Sequence, residues 1–295
     1  MKKTIWILFT VFVCIGAPVK SASTNDRFAD VKITTQQVSD KIYALFGAGG
    51  NIGVSKGKDG LLMIDDQFGP LAPKIKAALK ELGDDSPTYL LNTHYHGDHT
   101  GGNDAFAPES LILAHENVRV RLLAGDQSKR FGDPALPVIT YEKIAHIYFN
   151  GEEIQLIHLP KGHTDGDSIV YFTGSNVIHM GDHFFKDRFP YVDLDAGGTV
   201  NGLTANIETV LTMVNDDTRL IPGHGSLATK KDLQNYLEML KATSSLVNNA
   251  IESGDSLDEI KARGLGSQWQ NWGIGFINEE RWLQTLYGSL KSETQ

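Results

Sequence analysis

A chain of 295 residues, 41% of them hydrophobic, is long enough to bury one full core as a single large domain. Its formal charge of −9 argues against a nucleic-acid surface, which needs clustered Lys and Arg. The only cysteine, Cys14, excludes an internal disulfide and leaves no set of thiolate ligands.

Lys2 and Lys3 precede an apolar run from Ile5 to Ile15, which Gly16 and Pro18 break. Small residues follow at Ser21, Ala22 and Ser23. This is the pattern of a secretory signal peptide over residues 1–22, with cleavage after Ser21, Ala22 or Ser23, and the run is too short to span a bilayer comfortably. Bulky Val13 before Cys14 does not suit a lipid-attachment site. Cleavage removes Cys14, and with Lys2, Lys3 and Lys20 gone the formal charge becomes −12. The remaining chain, 23–295, is expected to form one domain that is periplasmic or secreted and has no membrane attachment after cleavage.

Residues Val31 to Phe68 read as β structure. Ile42–Phe46 and Asn51–Ser55 flank Gly47-Ala48-Gly49-Gly50, a hairpin signal, and Leu61–Asp65 follows a turn at Gly57–Gly60. Pro73–Leu82 has helical spacing, with Gly83 closing it. Further strands are expected at Tyr89–Leu91 and Leu111–Ala114, a helix at Asn117–Leu123, and a loop at Gly125–Pro137. In the second half, strand-like runs lie at Ile144–Phe149, Ile154–Leu159, Ile169–Phe172, Asn176–Met180 and Arg219–Ile221. Helices are expected over Ala205–Val214, from Thr229 to about Asn249, after the capping box Ser256–Glu259, and after Asn278, where Trp282, Leu283, Leu286, Tyr287 and Leu290 share a face. Strands mixed with helices on this scale imply α/β (α+β) structure, as two sheets or one large sheet covered by helices.

The densest chemistry is Thr93-His94-Tyr95-His96-Gly97-Asp98-His99-Thr100, with three of the chain's ten histidines and an aspartate in six residues. In an extended or turning backbone, residues two apart point the same way, so His94, His96 and Asp98 are expected to converge and His99 to face a neighbouring point. Imidazole and carboxylate together suit zinc or iron, and the pattern reads as a metal site for two ions. Three more apolar runs lead through glycine turns into single candidate ligands: Ile154–Leu159 into His163, Val177–Met180 into Asp182, and Leu220-Ile221 into His224. Neighbouring strands would bring all four turns to one sheet edge.

These residues resemble the metallo-β-lactamase superfamily, over about Lys41 to Gly225. The resemblance implies a four-layer αββα sandwich and two zinc ions in the cleft at the sheet edges. It assigns His94, His96 and His163 to one ion, Asp98, His99 and His224 to the other, and Asp182 to both. The absence of a ligand cysteine excludes the commonest lactamase subclass. His99 is similar to the third lactamase subclass and to glyoxalase II, and Asp182 to glyoxalase II, the lactonases and lactamase-like promiscuous hydrolases. Lys161 between Pro160 and Gly162 departs from the family pattern.

The resemblance implies a hydrolase of small-molecule substrates in which zinc lowers the pKa of a bound water to about 7 and the resulting hydroxide attacks an acyl carbon. Asp98 would be the catalytic residue that orients it. Export favours β-lactams or related cyclic amides; lactones, esters and thioesters are the alternative, and a metal-dependent periplasmic accessory protein is a third reading. Around the ligands, His115, His146, His158 and His179 are expected to satisfy local hydrogen bonds. His183 is a candidate support for the ligands. Asp65 and Asp66 would either orient ligand histidines or form a turn. The Gly47–Gly53 hairpin would overhang the cleft, and Phe184–Gly202 is the leading substrate-facing loop.

Overall fold

The computed structural model describes residues 27–125 and 135–293. The expected signal peptide and most of the expected 125–137 loop therefore lie outside the described residues. The chain divides into two compact units, Met1–Asp30 and Val31–Gln295. Of the first, residues 27–30 form a turn.

The second unit contains two sheets. The first runs in chain order: β1 (Thr34–Gln37), β2 (Ile42–Phe46), β3 (Ile52–Gly57), β4 (Gly60–Ile64), β5 (Tyr89–Asn92), β6 (Leu111–His115) and β7 (Ile139–Tyr141). Strands β1 to β4 are antiparallel neighbours, whereas β4 to β7 are parallel. The second sheet is ordered β13 (Ala228–Thr229), β12 (Arg219–Ile221), β11 (Val177–His179), β10 (Ser168–Phe172), β9 (Glu152–His158) and β8 (Ile144–Phe149). Only β11 and β12 pair in parallel there.

Alternation along the strands builds the layers. Ile42, Ala44, Leu62, Ile64, Leu91 and Leu113 of the first sheet meet Phe149, Ile154, Leu156, Val170, Phe172, Val177 and Ile221 of the second in one buried cluster. The alternates Met63, Leu90 and Ile112 face the other way and are buried too. Helix α1 (Ala72–Leu82) buries Ala72, Ile75, Leu79 and Leu82 at three- and four-residue intervals, the stripe of a helix packed on one face. Short helices α2 (Gly97–Thr100) and α3 (Asn103–Phe106) and helix α4 (Glu116–Leu123) complete the first half.

The outer face of the second sheet, with Ile169, Ile178 and Leu220, packs under α5 (Val200–Met213), α6 (Lys230–Glu252) and α8 (Glu279–Glu293). Leu203, Ile207, Tyr236, Met239, Trp282 and Leu286 supply the helical side of that cluster. The result is the expected four-layer αββα sandwich. Helix α7 (Leu257–Arg263) opens on the expected capping box, in which Ser256 and Glu259 satisfy each other's backbone N–H. Thr229 and Asp232 do the same for α6.

Several elements differ from the sequence expectation, among them the short helices α2 and α3 and the two-residue strand β13. Helix α5 starts at Val200, five residues early, because Thr199 caps the Gly202 N–H and Val200 and Leu203 are buried. The short edge strand β7 lies next to the expected loop. A 3-10 helix over Ser267–Ile274 has no apolar periodicity to announce it and buries none of its residues. Among the described residues no helix is long and apolar enough to cross a membrane.

Candidate metal centre

All four predicted turns arrive at one edge. Strands β4 and β5 run in parallel, and β9, β11 and β12 share a direction because β10 is antiparallel to both β9 and β11. The chain leaving each C-terminal strand end therefore enters the same crevice, the usual ligand position in α/β sheets. Hydrogen bonds stitch the two sheets together there. Thr93 O accepts from Ser168 N at 2.8 Å, and Asn51 donates through its backbone N to Gly223 O and through Nδ2 to Pro222 O, both at 2.8 Å.

Seven side chains meet in two groups. His94, His96, His163 and Asp182 form a buried group, and Asp98, His99 and His224 form a second, partly open one. In the first, His96 Nδ1 lies 3.1 Å from His94 Nε2 and 2.7 Å from His163 Nε2. Asp182 Oδ2 sits 3.4 Å from His163 Nε2 and 3.8 Å from His94 Nε2. Its other oxygen, Oδ1, faces His99 Nε2 at 3.1 Å and His224 Nε2 at 3.3 Å. Asp98 Oδ2 is 3.4 Å from His224 Nε2 and 3.9 Å from His99 Nε2. Asp98 therefore joins His99 and not His94 and His96, against the two-residue spacing. The physical reason is that α2 begins at Gly97, so Asp98 and His99 lie on a helical turn where alternation no longer holds.

The donor set fits metal ions. Bonds of 2.0–2.1 Å arranged tetrahedrally separate ligand atoms by about 3.3 Å, close to the spacings seen here. Among the described residues, buried Asp182 Oδ1 makes no hydrogen bond of good geometry, although His99 Nε2 and His224 Nε2 stand 3.1 and 3.3 Å away. Such an orphaned carboxylate oxygen is costly unless a cation satisfies it.

The rings are also held from behind, which fixes which nitrogen faces the crevice. His99 Nδ1 contacts Asp65 Oδ2 at 2.7 Å, His96 Nε2 contacts Asp193 Oδ2 at 2.9 Å, His163 Nδ1 contacts the Tyr191 carbonyl at 2.7 Å, and His94 Nδ1 contacts Thr93 Oγ1 at 3.0 Å. His224 stacks on Phe185, with ring centroids 5.0 Å apart. Asp65 is buried in a left-handed conformation (φ 60°) at the end of β4, and also accepts from Thr93 N and Oγ1 at 2.8 Å each. It both turns the chain and orients a histidine. Asp66 accepts from Gly102 N at 2.7 Å.

Burial, with the His99 charge beside it, holds the His94 imidazole well below its ordinary range. Burial likewise pushes His163 down to about 4. Both rings are neutral at pH 7, the form that can bind a metal. Burial disfavours charge on His99 as well, but Asp182, Asp65 and Asp98 hold it well above its ordinary value. Burial would raise the Asp182 carboxyl, yet His224, His99 and His163 hold it well below the usual carboxylate range.

The other histidines behave as expected. His179 Nε2 contacts Asn51 O at 2.9 Å, His115 Nε2 contacts Glu142 O at 2.9 Å, His158 Nδ1 contacts Asp167 O at 2.8 Å, and His146 Nδ1 contacts Glu153 Oε1 at 2.5 Å. His183 lies 3.1 Å from Asn206 Nδ2, beneath the Gly162 turn that carries His163. The Gly47–Gly50 hairpin does reach the crevice: Gly50 N donates to Asp98 O at 3.0 Å, and a Cβ on Gly50 would fall 2.1 Å from the His99 ring. In the Phe184–Gly202 loop, Tyr191 places its ring 5.6 Å from those of both His96 and His163. Asp193 was not anticipated; it lies 97 residues from His96 and no local pattern marks it.

The family model described as the Metallo-beta-lactamase superfamily matches residues 46–224. This covers more than half of the chain, and the chain belongs to that superfamily. It is 25% identical to the 2,4-dinitroanisole O-demethylase subunit alpha of Nocardioides sp. (strain JS1661), over 77% of this chain and 68% of that one. It is 31% identical to the hydroxyacylglutathione hydrolase of Nitrosococcus oceani, but that match spans only 46% of this chain and 48% of the relative. Among solved structures, a metallo-beta-lactamase from Pontibacter korlensis superposes with a TM-score of 0.60 at 18% identity, covering 71% of this chain and 99% of that one. The sec-alkylsulfatase Pisa1 from Pseudomonas sp. gives 0.67 at 18% identity, covering 86% of this chain and 50% of that one. At such identities the structural likeness concerns the fold alone. Family, donor set and hydrolase relatives together support a metal-dependent hydrolase.

Proposed function

We propose that residues 23–295 form a single exported catalytic domain that hydrolyses an acyl bond with two zinc ions, the best candidate substrate being a β-lactam or related cyclic amide. The observation that carries the reading is Asp182, whose two oxygens face separate groups of imidazole nitrogens. His94, His96 and His163 would hold one ion; Asp98, His99 and His224 the other; Asp182 both. Zinc at these positions supplies Lewis acidity toward a carbonyl and a source of hydroxide near neutral pH. Asp98 is the carboxylate of the pair that solvent reaches, with its side chain 28% exposed against 5% for Asp182. Asp98 would orient a water and accept its proton, while Asp182, held well below the usual carboxylate range by His224, His99 and His163, stays anionic. The rings of Tyr191 and Phe185 line the crevice, 5.6 and 5.9 Å from the His163 ring.

A lactone, ester or thioester is the second reading. The 31% identity to a hydroxyacylglutathione hydrolase and 26% identity to an N-acyl homoserine lactonase of Bacillus thuringiensis favour it, against 23% for the metallo-beta-lactamase type 2 of Bacillus sp. (strain 170). The test is a panel of β-lactams, lactones and thioesters on the zinc-loaded and chelated protein. Turnover should vanish with chelation and return with zinc, and Asp98→Asn should lose most of it while remaining folded. Full activity in protein verified as metal-free would refute the hydrolase mechanism.

A further inference from the structure

Two of the most exposed apolar side chains in the described residues, Ile274 (78%) and Phe276 (75%), lie two residues apart on the C-terminal segment between α7 and α8. That segment is docked on the loop that follows Asp182. Phe189 N donates to Trp272 O at 2.9 Å, and Gly273 and Gly275 pack against Phe189 and Arg188. The Phe276 ring meets Tyr191 edge-on at 6.1 Å, and Tyr191 in turn lies 5.6 Å from His96 and His163. One aromatic ring therefore separates Phe276 from the metal-binding groups. Phe276 is also held in place: Arg281 donates to its carbonyl at 3.1 Å and lies 5.1 Å over its ring. A fixed, solvent-exposed aromatic beside the crevice contributes nothing to the core and offers a ready surface for an apolar ligand group.

The geometry points to Phe276, with Tyr191, as the wall that receives an aromatic substituent of the substrate. The inference rests on the proposed acyl hydrolysis for its chemistry, but the binding surface can be tested separately. Phe276 is a specificity residue; it touches the substituent and takes no part in the bond-breaking step.

The experiment compares phenylacetyl with acetyl derivatives of one β-lactam nucleus and one homoserine lactone, on the zinc-loaded protein. Calorimetric binding of N-phenylacetylglycine and N-acetylglycine provides a readout independent of turnover. The wild type should prefer the phenylacetyl partner by about tenfold, the discrimination typical of a small apolar increment, and the preference should lie in KM. Phe276→Ala should reduce the preference to near unity in turnover and binding, and Phe276→Leu should restore part of it. Tyr148→Ser, an exposed apolar position at the end of β8 remote from the crevice, should leave the preference intact. Equal binding of the two glycine derivatives by the wild type, or an undiminished preference in Phe276→Ala, would overturn the inference. Absence of turnover on every acyl substrate with the binding preference preserved would sink the hydrolase reading alone; turnover without preference would sink only this one.

Discussion

His96 owes its aim to a residue far along the chain. Asp193 Oδ2 accepts from its outer nitrogen at 2.9 Å and from the Tyr95 hydroxyl at 2.8 Å. Burial opposes the charge on Asp193, but hydrogen bonds from His96 and Tyr95 hold its carboxyl down at about 2. Asp193→Ala should therefore weaken the first metal site by about 10- to 100-fold, the usual cost of losing a group that orients a ligand, in a competition titration with a chromogenic chelator. Unchanged affinity would show that Tyr95 and the ring packing suffice. On the other side of the crevice, His224→Ala should retain one of two zinc equivalents by elemental analysis, whereas Asp182→Ala should lower occupancy at both. A His224 variant that still holds two ions tightly would remove that residue from the ligand set. Gly50→Ala tests the hairpin: its Cβ would collide with the His99 ring, so the second equivalent should weaken while the protein stays folded.

At the scale of elements, α8 acts as a strut for the loop that carries Tyr191 and Asp193. Trp282 is fully buried, donates from Nε1 to Thr243 Oγ1 at 3.1 Å and stacks on Phe189 at 5.9 Å. Asn278 caps the helix by accepting from Arg281 N at 2.9 Å. Trp282→Ala should cost about 3–5 kcal/mol of stability in urea denaturation, as large aromatic truncations in cores do. It should also reduce the affinity of the first site, because Phe189 shares a loop with the residues behind His96 and His163. A stability loss with metal affinity unaltered would mean that the loop is held by its other contacts.

For the whole molecule, the buried imidazoles make the metal-free protein sensitive to acid. Burial pushes His163 down to about 4 and His183 down to about 3, and lowers His94 and His179 as well. Each binds fewer protons folded than unfolded, so its contribution is complete above the ordinary histidine pKa of about 6.5 and is lost as pH falls toward the folded value. Asp167, pushed up to about 8 by burial, Asp66, raised by burial, and His99, held up against burial by Asp182, Asp65 and Asp98, act in the opposite sense, but His115 and His158, lowered by burial, join the other four imidazoles on the acid-sensitive side. The Tm of the chelated protein should therefore fall steeply between about pH 6.5 and 4. Zinc should raise Tm at pH 7, and that increment should shrink over the same window as ligands protonate. A flat Tm across it in the chelated protein would show that the imidazoles titrate normally.

Much of this protein is legible in the order of its residues. Alternating and continuous apolar runs marked most strands, since a sheet buried on both faces demands them, and the capping box Ser256–Glu259 marked α7 because it satisfies backbone groups within four residues. Six of the seven candidate ligands come from turns just after recognisable strands, and His99 adjoins them in the same motif. Local patterns could not say how these donors divide between two ions. Alternation placed Asp98 with His94 and His96, and only the start of α2 at Gly97, with the approach of β12's turn carrying His224, sent it to the other group. Asp193 behind His96, the Tyr191 carbonyl behind His163 and Phe276 beside the crevice were invisible for the same reason. Each acts across a long stretch of chain, through contacts that exist only once both sheets have closed and the C-terminal segment has docked on the loop between them.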